Sequence, residues 1–114
     1  FKKGDYDKAL EYFLKSYIRK IVYADNQNHP DIAKCLNNIG LVYYEKGDYD
    51  KALEYYEKSY MIRKKIYANN QNHPDIAESL TNIGLVYYNK GYFNKALEYL
   101  VKSYIIRKII YAYN

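Results

Sequence analysis

Three observations predict an all-α fold, an α-α superhelix built from antiparallel helical hairpins. The stretch Asn38–Tyr56 returns almost unchanged at Asn82–Tyr99, and its second half opens the chain at Gly4–Phe13. Self-similarity at a fixed spacing marks a repeat architecture, in which each unit buries its apolar face against its neighbours. Within each copy, apolar residues recur at the three-and-four spacing of an amphipathic helix. Pro and Gly also fall where helices start and stop. With the two helices of a hairpin named A and B, the order is B-A-B-A-B.

The first helix, a B helix, is expected over residues 5 to about 25. Ala9, Tyr12, Phe13, Ser16 and Tyr17 share one face, and Asp5 is suited to cap its start. Asp25-Asn26-Gln27-Asn28-His29 follows, a polar connector without helical periodicity. Pro30 then occupies a first helical position, where its missing N–H costs nothing, and Asp31 favours the positive end of the helix. Ile32, Leu36, Ile39, Gly40 and Tyr43 form the stripe of this A helix.

Lys46-Gly47 ends it, because glycine adopts the left-handed conformation past a helix C-terminus without strain. Asp48 caps the next B helix, predicted from Tyr49 to Ala68. The cycle repeats with a connector at Asn69–His73, an A helix from Pro74 to Lys90, Gly91, and a B helix to about Tyr111. Tyr92 stands where the other copies carry Asp5 and Asp48, and losing that cap costs the last helix about 0.5–2 kcal/mol.

Aligning Ala24–Tyr67 with Ala68–Tyr111 leaves 32 of 44 positions identical. The chain therefore reads as one array, residues 1–114: a half repeat at 1–27 and full repeats at 28–70 and 71–114. Phe1 stands in mid-repeat, so a piece of a longer array is expected.

Composition narrows the function classes. The two Pro and five Gly are too few for a linker-rich or disordered chain. A single cysteine, Cys35, excludes an internal disulfide framework and suits a reducing, cytoplasmic setting. No targeting segment and no apolar run long enough to span a bilayer is visible. The net charge of +5 comes from 18 basic residues interspersed with 13 acidic ones, a mild bias without a polybasic tract.

The 18 tyrosines with basic neighbours suggest stacking on nucleic-acid bases. Most of them, however, occupy expected packing positions, where the ring is buried and the hydroxyl finds a partner. His29, His73 and Cys35 lack metal-ligand spacing, and no cofactor is expected. Cys35 has no base among its sequence neighbours, and its counterpart is Ser79, so it reads as a small half-buried residue. Arg19-Lys20, Arg63-Lys64-Lys65 and Arg107-Lys108 lie late in B helices, where cations favour the negative end of the dipole. Glu11–Lys15, Glu54–Lys58 and Glu98–Lys102 are expected as ion pairs on a solvated outer face.

Tyr43-Tyr44-x-Lys46-Gly47-x-Tyr49-x-Lys51-Ala52-Leu53-x-Tyr55-Tyr56-x-x-Ser59, preceded by Leu36-x-x-Ile39-Gly40, resembles the tetratricopeptide (TPR) repeat. Leu80, Ile83, Gly84, Tyr87, Ala96, Leu100 and Ser103 fill the same signature positions a second time, and Ala9, Phe13 and Ser16 fill part of another. The common 34-residue repeat ends helix B early; here it continues through Met61–Tyr67 to an Asn-x-His-Pro-Asp joint. That departure resembles the long repeats of kinesin light chains.

The resemblance implies a non-catalytic scaffold that binds a short peptide or partner segment on its concave, helix-A wall. The A-helix positions left free by the core are Lys34, Asn37, Asn38, Leu41, Tyr44 and Glu45, then Glu78, Thr81, Asn82, Leu85, Tyr88 and Asn89. In the family, the Asn matching Asn38 and Asn82 commonly bonds the peptide backbone; the alternative is that these side chains bond neighbouring helices. Leu41 and Leu85 replace the Asn of a chaperone-tail carboxylate clamp, which disfavours that ligand. The competing role is a structural spacer or self-assembling module that pairs through uncapped terminal helices.

Overall fold

In the computed structural model, which describes residues 2–112, five helices follow one another: α1 Lys3–Tyr23, α2 Pro30–Glu45, α3 Tyr49–Ile66, α4 Pro74–Asn89 and α5 Phe93–Ala112. No strand occurs among the described residues. Helix α2 packs with α3 and α4 with α5 as hairpins, while α1 leans on α2 and α3 on α4. The order is B-A-B-A-B.

Each hairpin turn is closed by glycine. Gly47 and Gly91 have φ of 82° and 87°, the left-handed region that a side chain resists. The Gly47 N–H donates to the Tyr44 carbonyl and the Asp48 N–H to that of Tyr43, at 3.0 and 2.9 Å, which satisfies the last carbonyls of α2. Gly91 and Tyr92 repeat the pattern on Tyr88 and Tyr87. The Asp48 side chain then accepts from the Lys51 N–H, capping α3 as expected.

The first helix departs from expectation. Its N-cap is Lys2, which makes no side-chain cap bond, so Asp5 does not cap it. Gly4 is helical here, and the Asp5 N–H already donates to the Lys2 carbonyl. Asp5 lies inside the first turn, where its charge still favours the helix dipole.

The connectors carry more structure than their lack of periodicity suggested. Asn26 and Asn70 side chains accept from the N–H two residues on. Gln27 and Gln71 reach back to carbonyls at the preceding helix end, Ile21 and Tyr67. His29 and His73 cap the next helix, their Nδ1 accepting from Asp31 and Asp75 N–H at 3.0 Å. Histidine thus plays the part that Ser or Asp usually plays. An Asn, a Gln and a His end one helix, turn the chain and start the next.

Hairpins close on small residues. Gly40 lies under the Tyr56 ring and Gly84 under Leu100. Ala52 and Ala96 are buried opposite, and Ser59 and Ser103 hydroxyls donate to the Ala33 and Ala77 carbonyls at 2.7 and 2.8 Å. A hydroxyl bonded to a carbonyl of the facing helix lets two backbones approach without leaving a buried polar group unmet. The second hairpin's core continues into the first through Ile83, Val86 and Tyr87 meeting Ala52 and Tyr56, with Tyr49, Leu53 and Tyr60 packed against them.

Tyrosine behaves differently from the expectation of burial. Tyr56 and Tyr87 are buried, but Tyr12, Tyr23, Tyr88, Tyr92, Tyr104 and Tyr111 are exposed. Half-buried rings also stack, Tyr43 on Tyr55 and Tyr99 on the buried Tyr87, at 5.6 Å between centroids. Of the expected outer ion pairs, Glu11–Lys15 and Glu98–Lys102 form, at 2.8 and 3.5 Å. Glu54 pairs with Lys51 instead, at 3.6 Å, and Lys58 lies over the Tyr55 ring.

Candidate partner-binding surface

Surface side chains on α2 and α4 are brought together by hydrogen bonds that cross from one repeat to the next. Asn37 is the hinge of the first set. Its Nδ2 donates to Glu78 Oε1 at 3.2 Å, and its Oδ1 accepts from Asn82 Nδ2 at 3.0 Å. Being buried, Asn37 needs both bonds, since an unmet carboxamide inside the fold costs about 1–3 kcal/mol. Further along, Asn89 Nδ2 donates to the Tyr44 hydroxyl at 2.7 Å and to the Leu85 carbonyl at 2.8 Å. The two A helices therefore lie side by side and make one wall.

Glu78 leads to the residue that sequence reading undervalued. Arg63 on α3 is 4% exposed. Its Nη1 donates to the Asp75 carbonyl (3.1 Å), Glu78 Oε1 (3.0 Å) and Ser79 Oγ (3.0 Å). A cation late in a B helix was expected only to favour the negative end of the helix dipole; this one clamps the next repeat. The missed signal lay in chain spacing: Arg63 and Arg107 each follow the hairpin-locking serine by four residues, which puts them on the packed face. Tyr67 reinforces the joint, its hydroxyl donating to Asp75 Oδ2 at 2.9 Å and its ring stacking on His73 at 3.6 Å. Burial, then the bond to the Asp75 carboxylate, pushes the Tyr67 phenol above its ordinary range.

The twelve candidate residues thus divide. Asn37, Glu78 and Asn82 belong to the Arg63 network, and Tyr44 and Asn89 bond each other. Thr81 turns to α5, sharing a 2.6 Å hydrogen bond with Ser103 Oγ. Asn82 bonds a neighbouring helix, while Asn38 has no hydrogen-bond partner among the described residues. Lys34, Leu41, Glu45, Leu85 and Tyr88 remain exposed. For the two leucines this is unusual, since they stand 41% and 36% open on helices whose neighbouring apolar residues are sealed.

The nearest approach to reactive chemistry is Cys35, which is fully buried rather than half-buried, with the Ser16 hydroxyl 3.7 Å from its Sγ. No group of three or more His, Cys, Asp or Glu among the described residues could hold a metal ion. No described helix is long and apolar enough to cross a membrane.

No curated protein matches the chain. Two family models do, both described as tetratricopeptide repeat, over residues 1–65 and 76–112. Repeats of this kind generally mediate protein–protein interaction or scaffolding. The paired serine locks, the glycine turns and these matches lead to one conclusion: the chain belongs to the tetratricopeptide repeat family.

Proposed function

We propose that the chain is a non-catalytic, cytoplasmic interaction scaffold whose α2–α4 wall holds a short, partly apolar segment of a partner protein. The observation that carries this reading is the exposure of Leu41, Leu85 and Tyr88, the last 57% open, on the two helices that the Asn37 and Tyr44 bonds draw together. Apolar side chains on a rigid wall, rimmed by Asn38, Lys34 and Glu45, give a segment both buried area and hydrogen bonds.

Asn38 suits the backbone of an extended segment, because a free carboxamide offers one donor group and one acceptor. Asn82 keeps its own carbonyl oxygen available after donating to Asn37. Glu45 and Lys34 set opposite charges on α2, which favours a segment with a basic and an acidic end. The length of α3 and α5, 18 and 20 residues, supports a likeness to the long repeats of kinesin light chains.

A peptide-array selection on the whole chain, followed by Asn38→Ala, Asn82→Ala and Tyr88→Ala, tests the reading. Binding weakened by Asn38→Ala and Tyr88→Ala is expected. Unchanged binding in all three variants removes this wall from the account.

A further inference from the structure

The α1–α2 and α3–α4 joints share half of a site and differ in what covers it. In both, the capping histidine Nδ1 stands 3.0 Å from a backbone N–H and 3.9 Å from a carboxylate oxygen of the same aspartate, Asp31 or Asp75. In the α3–α4 joint the Tyr67 ring stacks on His73 at 3.6 Å, and its hydroxyl donates to Asp75 Oδ2 at 2.9 Å. Neither contact is repeated on His29 and Asp31 among the described residues. Their side chains are 55% and 66% exposed, against 30% and 40% for His73 and Asp75.

The difference is one residue long. Ser59 is followed by Arg63 four positions later and Tyr67 eight positions later, and Ser103 by Arg107 and Tyr111. Helix α1 is one residue shorter between Tyr17 and Tyr23, so those positions after Ser16 hold Lys20 and Ala24. Arg19 and Tyr23 each arrive one position early, which turns them about 100° around the helix. Ala24 therefore ends α1 at the C-cap, as Tyr67 ends α3, while Tyr23 stands 82% exposed.

Where Tyr67 fills its joint, the α1–α2 joint keeps a cavity of about 340 Å³, lined by Arg19, Lys20, Tyr23, Ala24, His29 and Asp31 among others. The stack that closes the α3–α4 joint is made by α3, its connector and α4. The counterparts of all three are in place, so the opening follows from the shorter α1.

We propose that this cavity binds a small phenolic acid, a free para-hydroxyphenyl ring bearing a carboxylate, in the place that Tyr67 takes in the α3–α4 joint. The ring stacks on His29 and the hydroxyl donates to the Asp31 carboxylate, reproducing the contacts of Tyr67 with His73 and Asp75. The ligand's carboxylate meets Arg19 and Lys20, which line the cavity and form no ion pair among the described residues. The volume suits a small molecule, and the polar groups that would orient it are few and convergent. The site shares no residue with the α2–α4 wall and stands independently of the reading given to that wall.

The test is a titration of the intact chain with para-hydroxyphenylacetate, followed by nuclear magnetic resonance. Saturable binding with an upfield shift of the His29 ring protons is expected. Phenylacetate, which lacks the hydroxyl, should bind at least about tenfold more weakly, the scale of one hydrogen bond to a charged group. Asp31→Ala should bring the two acids level. Ala24→Tyr, which supplies the ring from the chain itself, should abolish binding while the helical spectrum is kept; if that variant does not fold, the levelling by Asp31→Ala decides.

The proposal is overturned if para-hydroxyphenylacetate does not saturate, if phenylacetate binds equally, or if a folded Ala24→Tyr variant binds as the original chain does. Shifts at Leu41 and Leu85 with His29 unmoved place the probe on the wall and also overturn it. N-acetyltyrosine amide, the same ring as a polypeptide presents it, should bind more weakly than the free acid. Tighter binding makes the ligand a protein side chain and contradicts the assignment.

Discussion

The ring of Tyr56 lies so close over Gly40 that a Cβ built there would sit 2.7 Å from Cδ1 and 2.8 Å from Cε1. Such distances are not found between real Cβ atoms and their neighbours, and the ring is fully buried with no room to retreat. Gly40→Ala should therefore destabilise the chain. Overpacking of about 1–3 kcal/mol outweighs the gain of up to about 1 kcal/mol in helix propensity. Urea unfolding followed by circular dichroism measures this. Tyr56→Ala should cost about 3–5 kcal/mol alone, and the double variant less than the sum, since removing the ring removes the clash.

Arg63 and Arg107 share a repeat position but not an environment. Arg63→Met removes the guanidinium from the Asp75 carbonyl, Glu78 and Ser79, and leaves Glu78 only the Asn37 carboxamide among its described donors. It should cost about 2–3 kcal/mol, below the range for a fully buried pair because Glu78 is half exposed. Arg107→Met, where the described hydrogen bond is a single one to Ser103 at 3.5 Å, should stay within about 0.5 kcal/mol. Equal costs in the same urea experiment would contradict the assignment of Arg63 as the inter-repeat clamp.

The two capping histidines also differ. Each accepts an N–H at 3.0 Å, but only His73 has a described ring stack, on Tyr67. His29→Ala should cost about 1 kcal/mol for the lost cap, and His73→Ala about 0.5–1.5 kcal/mol more for the lost stack. Thermal melts of the two variants give the order directly.

Alkaline pH should unfold the chain through its tyrosines. Burial, with the neighbouring Tyr44, Glu45 and Glu78 adding to it, raises the Tyr56 phenol well above the usual range. Burial likewise raises Tyr55, Tyr67 and Tyr99. A folded-state pKa above the unfolded value of about 10 means stability that is whole below pH 10 and lost as pH climbs beyond it. Absorbance at 295 nm should show that part of the tyrosine ionisation is delayed and coincides with loss of helix. All tyrosines titrating together near pH 10 with the helices intact would contradict the burial argument.

Helix order, the glycine turns at Gly47 and Gly91 and the proline starts were legible in the sequence, because each rests on one residue's backbone preference. The Gly40–Tyr56 contact was legible too, as small and large residues at fixed offsets. What lay beyond sequence reading was direction. Arg63 counts as one more cation near a helix end until its four-residue offset from Ser59 turns it toward α4. Asn37 and Asn38 are chemically identical neighbours, yet a rotation of one residue buries the first between α2 and α4 and leaves the second free. Asp5 failed as a cap because Gly4, unlike Gly47, stays helical. On the wall itself, the sequence marked twelve positions; hydrogen bonds to neighbouring helices engage Asn37, Tyr44, Glu78, Thr81, Asn82 and Asn89, and the proposed partner would meet Asn38, Lys34, Leu41, Glu45, Leu85 and Tyr88.

The central claim, that the α2–α4 wall is the partner-binding surface, is tested most directly by amide chemical-shift mapping of the whole chain with a peptide selected on it. The account predicts perturbations concentrated at Asn38, Leu41, Leu85 and Tyr88, with binding abolished by Leu41→Asp while the helical spectrum is kept. Perturbations confined to α5 or to the outer faces of α1 and α3, with Leu41→Asp binding as well as the original chain, would contradict it.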